Sequence, residues 1–207
     1  MKLGKILAIL GVFAIIFAVG CSSGPEDRVG EGRGITGDPN EPSWVSRGSG
    51  EFPGDVGKAL YAVGMAGYDP NPRLQDMVAK NTARTEMARQ IETYVAAMMK
   101  DFMQSHKDFA DPKSASSIQF VQAVSKSVTE ATLVGSKQIN AWREPQTKTQ
   151  YVLMTMPLKS VYSGAGKKAI MKKARERQAE VFKAKADEAL KALDGELEKR
   201  RKAVEGE

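Results

Sequence analysis

The chain has 207 residues, a formal net charge of +6, one cysteine and one histidine. This length accommodates one ordinary domain with appendages. A single cysteine excludes an internal disulfide framework and a thiolate zinc site.

Chain order begins with a targeting segment. Lys2 and Lys5 give a positive start, Ile6 to Val19 carries no charge, and Ala18-Val19-Gly20 brings small residues up to Cys21. This is the layout of a secretory signal peptide over residues 1–20. An apolar run of fourteen residues is short of the roughly 20 needed to cross the hydrocarbon as a helix. The segment resembles the lipobox of bacterial lipoproteins. That resemblance implies that the Cys21 thiol receives a diacylglycerol, that the preceding peptide is removed, and that the new amino terminus is acylated. Several acyl chains on one residue would hold a protein stably at a bilayer, where a single chain binds only marginally. By the sorting rule of such proteins, Ser22 rather than Asp implies the outer membrane, with the periplasmic or surface face left open. An exported protein is also removed from nucleic acid. Loss of Lys2 and Lys5 leaves a mature charge of +4 over 187 residues.

Residues 21–54 show no apolar period and hold eight glycines and four prolines. Such composition predicts a lipidated, flexible tether, of roughly 30 Å mean span. Trp44, in Pro42-Ser43-Trp44-Val45, is the exception, and docking on the domain explains it better than a binding role. Ordered structure is expected from 55 to 163. Ala59 to Gly67 reads as a strand in which glycines mark close backbone approach. Tyr68 to Pro72 is a turn, with Asn71 as helix cap and Pro72 at the first helical position.

A helix of about 50 Å follows, toward His106. Leu74, Met77, Val78, Asn81, Thr85, Ala88, Ile91, Val95, Met98 and Phe102 define its expected buried stripe. Pro112 punctuates the chain, and Ile118, Val121, Val124, Val128 and Ala131 mark a second helix ending at Gly135. Gln138 to Trp142 alternates as a strand. Tyr151 to Met156 is apolar on both faces and should be central, and Glu144 to Lys148 should join the two as a hairpin loop. The order strand-helix-helix-strand-strand predicts an α+β fold: a small, mainly antiparallel sheet of about three strands with two helices on one face. The expected core includes Tyr61, Val63, Met77, Ile91, Val95, Val121, Val128, Trp142, Val152 and Met154.

Residues 164–207 change character, with thirteen basic and nine acidic residues. Ile170, Ala174, Gln178, Val181, Lys185, Ala189, Leu193 and Leu197 form a thin seam, predicting one long, separable carboxy-terminal helix. Its seam looks too thin to be a buried domain face, so docking on a partner or a second copy is expected.

Pro42-Ser43-Trp44-Val45, Leu60 to Gly67, Asn71-Pro72 and Ala79 to Ile91 together resemble the family of the twenty-kilodalton outer-membrane lipoprotein, whose domain is similar to the amino-terminal domain of the flagellar protein FlgT. Residues 139–142 and 151–156 are similar to the Trp-bearing and Tyr-rich strands that close that domain. The resemblance covers about residues 42–160. It implies an outer-membrane lipoprotein with a small α/β domain, and it brings no catalytic residues.

No constellation for catalysis stands out. His106 lacks a nucleophile and an orienting acid, and a histidine there complements the helix dipole. Gly64 to Gly67 fits neither phosphate-binding glycine pattern, and Asp69-Pro70-Asn71 has no calcium-ligand ladder after it. No catalytic residue, metal or cofactor is therefore expected. The basic cluster Lys167, Lys168, Lys172, Lys173, Arg175 and Arg177 is the candidate partner-binding element. Anionic lipid, lipopolysaccharide phosphates or peptidoglycan carboxylates would be attracted to it, although a solvated helix face explains it as readily. The leading expectation is a non-enzymatic, lipid-anchored envelope scaffold or adaptor that meets an envelope protein, peptidoglycan or a second copy. The alternative is a periplasmic ligand- or glycan-binding module.

Overall fold

A computed structural model describes residues 34–108, 110–182 and 185–206. The signal segment, Cys21 and the stretch to residue 33 lie outside the described residues. The described residues form one unit. Its elements run α1 (Ser43–Arg47), β1 (Ala59–Ala66), α2 (Pro72–Ser105), α3 (Ala115–Thr132), β2 (Lys137–Arg143), β3 (Gln150–Pro157), α4 (Lys159–Tyr162), α5 (Gly164–Glu176), α6 (Gln178–Val181) and α7 (Ala186–Glu205). This is the α+β architecture expected, with an antiparallel sheet in the order β1-β3-β2. β3 is central because it is apolar on both faces: Val152, Met154 and Met156 point into the main core, Tyr151 and Leu153 into a second cluster.

Local signals explain the start of α2. The Asn71 side chain accepts from the Arg73 and Leu74 amides at 3.1 and 3.3 Å, and Pro72 occupies the first turn, where its missing N–H costs nothing. One turn in, buried Gln75 donates to the carbonyl oxygens of Gly67 and Lys148 at 2.9 and 2.7 Å and accepts from the Arg143 guanidinium at 3.1 Å. One side chain thus ties the end of β1 and the β2–β3 hairpin to the helix.

The expected stripe of α2 is right in its second half and wrong in its first. Ile91, Val95, Met98 and Phe102 are buried, but Leu74, Met77 and Val78 are exposed, Met77 by 52%, and Asn81 and Thr85 are exposed with them. The inward face is instead Gln75, Ala79, Ala83 and Met87. The cause is Gly64 on β1. A Cβ there would overlap the Ala79 carbonyl oxygen and the Ala83 amide, so helix and strand backbones touch. Only small side chains fit between them, and the larger apolar residues are turned outward. Tyr61, Val63 and Trp142, also expected in the core, are half-buried on the other face of the sheet.

The two flanking segments depart most from expectation. Residues 34–58 are folded against the domain rather than forming a tether throughout. The Glu41 carboxylate closes a loop by accepting from the Ile35 and Thr36 amides. Trp44 and Val45 of α1 pack on Tyr151 and Leu153, and Phe52 stacks on Tyr61 at 4.1 Å between ring centroids. Docking of Trp44 is therefore observed.

Residues 164–206 end in the long carboxy-terminal helix expected, α7, but they form three helices rather than one continuous one, and they pack into the domain. Ile170, Ala174, Val181, Ala189, Leu193 and Leu197 are all buried in the main core. A thin seam suffices because the tail folds back in three pieces, each adding one stripe to a core that already exists. Three features hold this return. Gly166 lies so close to the Ser160 and Val161 carbonyl oxygens that a side chain would clash. Phe182 meets Phe120 of α3 edge-to-face at 5.7 Å. Tyr94 of α2 packs its ring against buried Tyr162 at 6.2 Å between centroids, and the Arg200 guanidinium lies 2.7 Å from Glu196 and 3.8 Å from Asp101, joining α7 to α2.

Candidate functional site

The basic cluster of α5 faces α7. Lys167, Lys168, Lys172 and Arg175 line one side of an open groove of about 890 Å³, with Leu190, Lys191 and Asp194 of α7 opposite and Met171 among its apolar lining. The structure thus brings four of the six expected residues into one groove; Lys173 and Arg177 do not line it.

Local ion pairs absorb part of this charge. The Lys167 ammonium is 2.9 Å from Asp194 and 3.8 Å from Glu198, Lys173 is 2.7 Å from Glu176, Lys172 is 3.9 Å from the same carboxylate, and Arg177 is 3.8 Å from Glu180. The Lys173 hydrogen bond, helped by the nearby cations, holds the Glu176 carboxyl below its usual range. Glu198 is lowered likewise, chiefly by its hydrogen bond from Arg201. Solvent-exposed pairs of this kind add little to stability. Lys168, Arg175 and Lys191 form no ion pair among the described residues and supply the groove's excess positive charge.

A second groove, of about 820 Å³, lies between α2 and α3. Ala96, Ile118 and Val121 line it, with Lys100, Lys113 and Lys126 around them and Glu92 as the acid. Sequence reasoning missed it because its lysines sit singly in three different segments. The one signal was Ile118, read as part of a buried stripe and in fact 50% exposed.

The remaining candidates resolve to structure. The His106 imidazole lies 3.0 Å from the Phe102 carbonyl oxygen and 4.6 Å from the Phe102 ring centroid, closing the carboxy-terminal end of α2. The Asp69 carboxylate accepts from the Asn71 amide, forming the turn before the helix. Among the described residues no group of three His, Cys, Asp or Glu side chains is placed to hold a metal ion, and no helix is long and apolar enough to cross a membrane.

Burial raises the Tyr162 hydroxyl well above its usual pKa, with Tyr94 beside it. Tyr61 is raised, first by its 2.5 Å hydrogen bond to Asp55, and Tyr151 chiefly by burial. All three are neutral structural groups at physiological pH. Compared with family models and with curated proteins, the chain matches none.

Proposed function

We propose that this chain is a lipid-anchored, non-enzymatic envelope protein that acts as an adaptor for an acidic partner at the groove between α5 and α7. The signal-like segment ending at Cys21 supports the anchor and an outer-membrane location, as does the resemblance to the twenty-kilodalton outer-membrane lipoprotein family. The groove carries the binding role. Lys168, Arg175 and Lys191, none of them ion-paired among the described residues, surround an apolar lining that includes Met171 and Leu190. Cations over an apolar floor suit an acidic protein surface or peptidoglycan carboxylates better than a neutral ligand. The partner meets a groove built by the folded tail, rather than a projecting helix.

Two experiments test the two parts of this reading. Cys21→Ala should abolish incorporation of labelled fatty acid and release the protein from the membrane; unchanged acylation would refute the anchor. Lys168→Glu with Arg175→Glu should remove the major partner found by crosslinking in intact cells while leaving thermal unfolding unchanged. An identical crosslink in that variant would refute the groove.

A further inference from the structure

The groove between α2 and α3 supports a separate inference, independent of the adaptor reading. Its lining follows an antiparallel pair of helices. Lys100 of α2 lies toward the connecting segment, with Pro112, Lys113 and Ile118; Glu92 lies toward the other end, with Ser125 and Lys126. From Glu92 to Lys100 is about 12 Å along the helix.

The groove is therefore polarised. Lys100 and Lys113 make one end cationic, Ala96, Ile118 and Val121 make the middle apolar, and the far end is lined by both Glu92 and Lys126. None of the three lysines forms an ion pair among the described residues, unlike Lys167 and Lys173 of the other groove. Ile118 stands half-exposed in this groove, while its neighbour Val121 is almost fully buried. A large apolar side chain left half in water beside uncompensated cations calls for an apolar occupant with a negative end.

We propose that this groove binds a single-chain anionic amphiphile, its carboxylate or phosphate head at Lys100 and Lys113 and its acyl chain over Ala96, Ile118 and Val121. An acidic amphipathic helix is the weaker fit, because its charge is spread along its length and would meet Glu92 at the far end.

Titration calorimetry on the full mature chain, residues 21–207 with Cys21→Ser, tests this with octanoate, decanoate and dodecanoate below their micelle concentrations. Saturable one-to-one binding is expected, tightening about fourfold per added methylene until the apolar stretch is filled. Dodecanol should bind at least several-fold more weakly than dodecanoate. Lys100→Glu with Lys113→Glu should weaken dodecanoate by about tenfold or more, and Ile118→Asp should weaken it comparably. Lys168→Glu with Arg175→Glu, in the other groove, should leave it unchanged. Circular dichroism checks that each variant folds; if the double reversal does not, Lys100→Gln with Lys113→Gln replaces it and should weaken dodecanoate in the same direction. Dodecanoate binding that does not saturate, that survives loss of both lysine charges, or that is weaker than binding of an acidic amphipathic peptide would overturn the proposal; the last result would assign the groove to a helix.

Discussion

The two faces of the sheet are buried in different ways. On the inner face Ala62, Val152, Met154 and Met156 lie under α2 and continue into a core shared with α3, α5 and α7. On the outer face Trp44, Val45, Tyr151 and Leu153 form a small cluster, fringed by half-buried Phe52, Tyr61, Val63 and Trp142. The inner face is covered by long amphipathic helices with many mutual contacts. The outer face is covered by a segment with one five-residue helix and no apolar period. A cluster with so few partners opens at lower free energy than the core it rests on. The difference teaches that burial of a single side chain does not measure how strongly its region is held: Tyr151 and Met154 are both buried, yet different amounts of structure must move to expose them.

The largest expected effect breaks the inner face. Gly64→Val places a side chain where the α2 backbone lies, and either β1 or α2 must shift. A loss of at least about 3 kcal/mol is expected, read as failure to fold or as a steep fall in the urea midpoint. A loss below 1 kcal/mol would mean that the close approach is not needed. Leu193→Ala comes next, at about 2–5 kcal/mol, because Leu193 is fully buried in the shared core. If chemical denaturation showed that variant as stable as the parent, the tail would be separable after all.

Trp44→Ala should cost less, roughly 2 kcal/mol, since the small outer cluster can partly collapse and the Trp44 indole N–H has no partner to lose among the described residues. Its effect should also be confined. The chain's two tryptophans, Trp44 and Trp142, both lie on the outer face, so fluorescence reports that face while far-ultraviolet circular dichroism reports the helices. In urea the fluorescence transition should precede the dichroism transition, and coincident curves would show the two faces to be one cooperative unit.

The smallest effect is seen only in alkali. Tyr162 has a raised pKa when folded, so its contribution is complete below the unfolded value of about 10 and is lost as pH rises above it, at up to about 1.4 kcal/mol per pH unit. Tyr162→Phe should flatten this alkaline decline while changing stability at neutral pH by no more than about 1 kcal/mol. An alkaline decline of the same slope in both proteins would show that Tyr162 is not its source.

Much of the architecture was legible in the sequence because its signals are local. Asn71-Pro72 caps α2 through bonds within one turn, Tyr151 to Met156 announces a central strand by being apolar on both faces, and Ile91 to Phe102 presents a stripe that the core accepts. The basic run on α5 was visible as a run. Tertiary structure decided what depends on distance between elements. Periodicity defines a helix face but not how closely a neighbour approaches, so only the contact of Gly64 with Ala79 and Ala83 selects the inward face of the first half of α2. Composition marks the tail as surface-like, but its return over Gly166 and Phe182 buries the seam. Charge counting locates cations without their partners: Lys167 is offset by Asp194 and Glu198, about thirty residues away in the chain, whereas Lys100, Lys113 and Lys126 come from three segments and share a groove only because α2 and α3 pack antiparallel.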